Sequence, residues 1–257
     1  MLMQYLLYNN TLLIILNRVE IGSLQQLLPI LTAIVFSFFL YRYSKRSLDR
    51  QNQERLVHWF AIFISVTVIS FHIYKVSLGD YNIKTDLPLY LCSLLGLIIP
   101  VFTYYKKKWM FEILLFWIIA GTTQAIITPD ILIGFPSFEF FRYWIVHLGL
   151  VVLILYFVIV LNHKPTLKSV FKSFLALQVY VIIMVIVNYA LDANYFYLNE
   201  KPETATILDH FGDWPIYIIV GQLILIPYFL LIYLPFYLIK KKSQIDNRLN
   251  LTPSSSV

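Results

Sequence analysis

Apolar residues fall into seven long runs along the 257-residue chain, at 24–43, 56–74, 87–105, 109–127, 140–161, 169–191 and 215–239. Wound as α-helix at about 1.5 Å per residue, each run is close to one bilayer thickness. The pattern predicts an all-α fold, a polytopic membrane bundle of seven transmembrane helices filling residues 24–239. Prolines at 29, 100 and 227 lie within or near the ends of these runs, where neighbouring helices satisfy a freed carbonyl. Residues 1–23 are apolar but broken by Asn9 and Asn10, and lack a basic leader region. They are expected to lie along the membrane interface uncleaved, with an eighth span as the alternative. Residues 240–257 should form a basic, then Ser-rich, cytoplasmic tail. No repeat of fixed period and no Gly-rich phosphate loop occurs.

The connections alternate in charge. Fifteen of the 20 Lys and Arg residues fall in the first, third and fifth connections and the tail: Arg42, Lys45, Arg46, Arg50, Arg55, Lys106, Lys107, Lys108, Lys164, Lys168, Lys172, Lys240, Lys241, Lys242 and Arg248. The other five (Arg18, Lys75, Lys84, Arg142 and Lys201) lie on the opposite side with ten of the 14 acids. The excess of cations on one side predicts an outside N-terminus and a cytoplasmic C-terminus in a multi-pass plasma (cytoplasmic) membrane protein. Composition agrees: 59% hydrophobic and 13% charged residues cannot cover a soluble domain. The net charge of +6 is spent on this asymmetry, so membrane lipids and not nucleic acid are the expected partners. A single cysteine excludes an internal disulfide and a cysteine-rich metal site. No cofactor and no metal are expected, since His210 and the acids of 192–214 match no ligand spacing.

Polar side chains inside the runs are the candidates for chemistry. His72, Cys92, Gln124, His147, Asn188 and Gln222 occupy six different runs and fall near one membrane face, which predicts a shared polar hollow. Cys92 and His147 sit at similar inferred depth, suiting a thiol nucleophile and its base. Asp86 or Asp130 could orient the imidazole, and Gln124, Thr123 or Asn188 could hold an oxyanion. Competing readings stand beside each. A lone membrane cysteine is often a small core residue, and Asn188 and Gln222 suit interhelical hydrogen bonds. His72 suits a carbonyl partner or the headgroup layer. Glu112 is expected to pair with Lys106–Lys108, His58 to face the inner interface, and His163 to be solvated. The long acidic connection 192–214 carries Tyr195, Phe196, Tyr197, Phe211 and Trp214, so it should fold over the bundle.

Five motifs in order carry a resemblance. Leu87-Pro88-Leu89-Tyr90-Leu91-Cys92 resembles the Leu-Pro-Leu-His-Leu-Cys signature of the YwaF-like bacterial integral membrane proteins. So do Gly121-Thr122-Thr123-Gln124-Ala125 with Thr128-Pro129-Asp130, Phe141 to His147, Asn188 with Asn194-Tyr195, and Gly212-Asp213-Trp214-Pro215-Ile216-Tyr217. The likeness covers about residues 20–240. That family is similar to an animal transmembrane acyltransferase acting on phospholipids through a cysteine acyl-enzyme, and more distantly to membrane hydrolases using threonine and histidine. The resemblance implies an acyltransferase or lipid hydrolase with Cys92 as nucleophile and His147 as base. Gln124, Asn188, His72, Asp86, Asp130, Gln222, Asn194 and Tyr195 would then line its pocket. Two departures stand out: Tyr90 replaces the motif's histidine, and Gln25-Gln26 stands where relatives often carry one. The alternatives are a small-solute transporter, disfavoured by the lack of paired intramembrane charges and of an inverted repeat, and a non-enzymatic seven-helix binding or sensory protein.

Overall fold

A computed structural model describes residues 18–79, 81–202 and 206–251. Among the described residues seven long helices succeed one another: α1 Leu24–Ser47, α2 Arg50–Ser77, α3 Leu91–Tyr105, α4 Lys108–Ile127, α5 Phe138–Ile159, α6 Leu167–Leu191 and α7 Ile216–Leu251. Among the described residues there is no strand. Six of the helices, all but α3, are long and apolar enough to cross a membrane. With 15 residues, α3 reaches only about 22 Å. The expected helical run from Leu87 therefore shortens, because Pro88 disfavours helical backbone at Leu87. The chain turns there instead, with Leu89 N donating to Leu87 O at 2.7 Å.

Residues 1–17 of the expected interfacial segment lie outside the described residues. The two residues after them are pinned to the α4–α5 connection: Val19 N donates to Ile131 O at 3.1 Å, and Arg18 pairs with Asp130 at 2.7 Å. At the other terminus α7 continues to Leu251, past the end of the apolar run at residue 239. The Lys240–Lys242 cluster extends the helix, as good helix formers do once the chain leaves the bilayer.

The packing centres on α5, of whose spanning window 61% is buried, against 6% for α1. Apolar contact supplies little drive between helices in lipid, so close approach of small residues matters. Gly96 of α3 and Gly149 of α5 provide it. A Cβ at Gly96 would meet Val68 at 3.0 Å and Val146 at 3.4 Å, and one at Gly149 would meet Ile64 at 3.0 Å. Ile64 of α2 is thereby wedged between α3 and α5, fully buried. In α4 a π-helical turn, Ile118–Thr122, brings Gly121 against Leu91, where a Cβ would meet Leu91 Cδ2 at 3.3 Å. Such wide turns occur often beside functional sites.

The connections segregate into two ends. At the acidic end, Lys84 pairs with Asp192, and the Tyr195 hydroxyl accepts from Leu87 N, joining the α2–α3 and α6–α7 connections. At the basic end, Glu54 takes Lys106 at 2.5 Å, and Arg50 donates to Leu161 O at 3.0 Å. Local caps fix several helix starts. Asp49 accepts from Asn52 N and Ser137 from Phe140 N, while Thr166 and Ser169 form a reciprocal box.

Candidate functional site

Cys92 is the second residue of α3, half-buried at the acidic end. The first bond of that helix runs from Leu94 N to Tyr90 O at 3.0 Å. The N–H groups of Leu91, Cys92 and Ser93 therefore have no acceptor within the helix, and the positive end of its dipole surrounds the thiol. Tyr90 caps the helix without a side-chain bond and lays its ring against Tyr195 (5.2 Å) and Tyr197 (5.5 Å).

Register places the thiol opposite an arginine. Val146 faces Gly96, and α3 and α5 both run from the acidic to the basic end. One turn back from Gly96 is Cys92, and one turn back from Val146 is Arg142, each about 6 Å nearer the acidic end. His147 lies about 7.5 Å deeper than that level by the same rise. The expectation of equal depth for Cys92 and His147 is thus corrected, and no hydrogen bond joins them among the described residues. Instead the guanidinium of Arg142 acts electrostatically on Cys92, His147 and His72 alike.

His147 is buried on α5. Its Nδ1 lies 2.7 Å from the carbonyl of Tyr143, and its ring stacks on that tyrosine at 4.1 Å. A carbonyl partner fixes the hydrogen on Nδ1 and leaves the lone pair on Nε2. Among the described residues Nε2 has no partner. The orienting group is therefore a backbone carbonyl one turn away, and neither Asp86 nor Asp130. Asp86 accepts from Asn82 N at 2.8 Å and faces Lys75 at 3.6 Å, while Asp130 holds Arg18.

The other expected pocket residues divide sharply. Gln124 turns onto its own helix end, donating one amide hydrogen to Thr128 Oγ1 at 3.0 Å. Asn188 clamps Tyr195 on both backbone groups, accepting at 2.7 Å and donating at 2.9 Å. Tyr195, fully buried, donates to Ile83 O at 2.6 Å, and burial pushes its phenol up to about 12. Asn194 organises the same loop through Glu200 O and the amides of Asn199 and Glu200. Gln222 accepts from Gln178 at 2.8 Å between α7 and α6. These five build the cover of the site and its helix contacts. With Trp214 Nε1 on Leu198 O and the Tyr217 hydroxyl on Tyr197 O, the acidic connection folds over the bundle as expected.

His72 differs from all of them. Both its ring nitrogens are buried without a hydrogen-bond partner, between Phe71 at 5.9 Å and Tyr81 at 6.0 Å. It has found no carbonyl. Leaving a buried donor unsatisfied costs about 1–3 kcal/mol.

Sequence reasoning passed over Arg142, treating it as a marker of the outer side. Its position two residues inside a 22-residue apolar run was the available signal. Two smaller expectations are corrected as well. Glu112 pairs with Lys172 across α4 and α6, since Lys106 is taken by Glu54. His163 is half-buried between Phe111 and Phe157, each 5.2 Å away, where the α5–α6 connection tucks under the bundle. Gln26, in the place of the relatives' histidine, donates to the terminal carbonyls of α4 at Ile126 (2.8 Å) and Ile127 (3.0 Å). A cavity of about 70 Å³ lies apart from this site, between α1, α2 and α5, against Phe36, Leu40, Phe60, Val152 and Tyr156.

Among the described residues no three His, Cys, Asp or Glu side chains gather as a metal-binding group. Asp209, beside His210, is committed to Thr206 N at 2.7 Å. Comparison with curated proteins and with solved structures yields no match. A family match spans residues 21–233, from the start of the bundle through the first half of α7. With its apolar helices and this match over more than four-fifths of its length, the chain is a multi-pass membrane protein of the TMEM164 family.

Proposed function

We propose that the protein is a membrane-embedded acyltransferase or lipid hydrolase working on a phospholipid or fatty-acyl ester, with Cys92 as nucleophile. In this reading all seven helices belong to the membrane domain, α3 as a short span. The acidic end faces outward from the plasma membrane, and the C-terminus lies in the cytoplasm. The observation that carries the chemistry is the seat of Cys92, on the first turn of α3 within the field of Arg142. A helix N-terminus and a nearby cation oppose the cost that burial sets on a thiolate there, and leave the base to take the proton as the bond forms.

The residues supply each step. Cys92 Sγ attacks the ester carbonyl carbon, and its proton passes through water to Nε2 of His147, whose lone pair faces no protein donor. The carbonyl oxygen, now negative, is received by the free first-turn amides Cys92 N–H and Ser93 N–H. These replace Gln124 in the oxyanion role. The C–O bond breaks, the imidazolium protonates the departing alkoxide, and an acyl thioester remains on Cys92. An incoming alcohol or water attacks the thioester, His147 takes its proton, and the thiol is regenerated.

Purified protein incubated with dioleoylphosphatidylcholine should gain the mass of one oleoyl group on the Cys92 peptide. Cys92→Ser should lose both that adduct and transfer. Unchanged turnover in Cys92→Ser ends the proposal.

A further inference from the structure

Arg142 is a cation without an anion. Its guanidinium makes no salt bridge and no hydrogen bond among the described residues, and its Nε is buried unpaired. It lies over the face of Phe71, Cζ 4.3 Å from the ring centroid. Cation–π contact holds the guanidinium in place but satisfies none of its five donors. Carboxylates are near enough to act on it, yet each is engaged elsewhere. Glu139 accepts from the Leu132 amide, and Asp86 is shared by Asn82 N and Lys75. Beside Phe71 stands His72, whose two nitrogens are likewise buried and unpaired. Two adjacent helices thus present unused donors to one place at the acidic end.

We infer that Arg142 and His72 form an anion seat for the phosphodiester of a lipid headgroup, with Phe71 as its floor and Tyr81 as its wall. A planar guanidinium suits two oxygens of one phosphate, and an imidazole N–H suits a third contact. The assignment to a lipid phosphate rests on the proposed function, because the seat and Cys92 share one level across α3 and α5. A headgroup held there would bring the adjoining ester to the sulfur.

The test uses the full chain in dodecyl maltoside, with thermal unfolding read through tryptophan fluorescence. Dioleoylphosphatidylcholine should raise the unfolding midpoint, whereas dioleoylglycerol, with the same chains and no phosphate, should leave it in place. Arg142→Gln should weaken the phosphatidylcholine response about tenfold or more. Arg142→Lys should keep part of it. Cys92→Ser should bind like wild type while losing turnover, which separates failure of the seat from failure of the chemistry. An equal response to diacylglycerol, or wild-type phosphatidylcholine binding by Arg142→Gln, overturns the inference. Inorganic phosphate alone producing the full shift overturns the lipid assignment in favour of a free anion. Should Arg142→Gln fail to fold, His72→Leu carries the test, and wild-type phosphatidylcholine affinity there is equally fatal.

Discussion

The two ends of the bundle treat polar groups in opposite ways. At the basic end Glu54 holds both Arg50 and Lys106, Glu112 holds Lys172, His58 meets Thr103 at 2.8 Å, and Gln53 serves the carbonyls of Ser44 and Leu48. Among the described residues the acidic half contains Nε of Arg142, both nitrogens of His72 and the indole nitrogen of Trp144, all buried and unpaired. A polar group in hydrocarbon finds a partner in the fold, or the fold loses stability by keeping it free. Paired groups at one end are architecture. Free ones at the other are places for a ligand.

That contrast breaks most visibly at His147. Replacing it with Gln should lower acyl transfer by about 10²- to 10⁴-fold, the usual worth of a positioned base. The thermal unfolding midpoint should fall only modestly, because the Gln amide can still donate to the Tyr143 carbonyl that His147 holds. A large loss of stability with intact transfer would invert the assignment. The basic end should respond the other way. Lys172→Met strands Glu112, which is 6% exposed, and should destabilise the protein by about 3 kcal/mol. Adding Glu112→Gln should recover most of that loss, and neither variant should slow turnover per folded molecule.

A third difference is in pH response. Burial between Phe111 and Phe157 lowers the pKa of His163, the Leu161 carbonyl opposing and the Arg50 charge assisting. A histidine with a depressed folded value favours the fold while neutral. Its stabilising share is full above the unfolded value of about 6.5 and fades as pH falls through the lower folded value. Melting curves from pH 7.5 to 5 should show that decline, and His163→Phe should flatten it. A decline that survives the substitution would move its origin elsewhere.

Most of the architecture was legible because membrane spans are written in continuous apolar runs. The misjudged boundaries have local causes. Pro88 unwinds the first four residues of the run 87–105, and α7 outlasts its apolar stretch because Lys240–Lys242 suit a helix in water as well. The site was legible as a depth and not as a set of contacts. Gln124, Asp130 and Asn188 were grouped with Cys92 because hydropathy fixes height along a helix but not the direction around it. Their bonds to Thr128, Arg18 and Tyr195 depend on loop geometry that no periodicity encodes. Arg142 was hidden by the rule that made the topology readable, since counting cations by side turns each one into an orientation marker.

The smallest expected effect concerns the exposed charges of the acidic end, which must be kept apart from its buried ones. Asp192 ends α6 in the left-handed region at φ 51°, and its carboxylate takes Lys84 at 2.6 Å. The hydrogen bond and charge of Lys84 lower the pKa of Asp192. Its contribution is therefore present above the ordinary carboxylate value of about 3.9, and is lost as pH falls through the depressed one. Asparagine accepts the same left-handed backbone, so Asp192→Asn isolates the charge. At pH 7 the variant should unfold slightly below wild type, as exposed pairs contribute little. Near pH 3 the two melting curves should merge, and raising the salt at pH 7 should narrow their gap. A gap that persists at pH 3 would locate the effect in the backbone turn. Phosphatidylcholine binding should be the same in both proteins, because the Lys84–Asp192 pair is exposed and contributes no residue to the proposed anion seat.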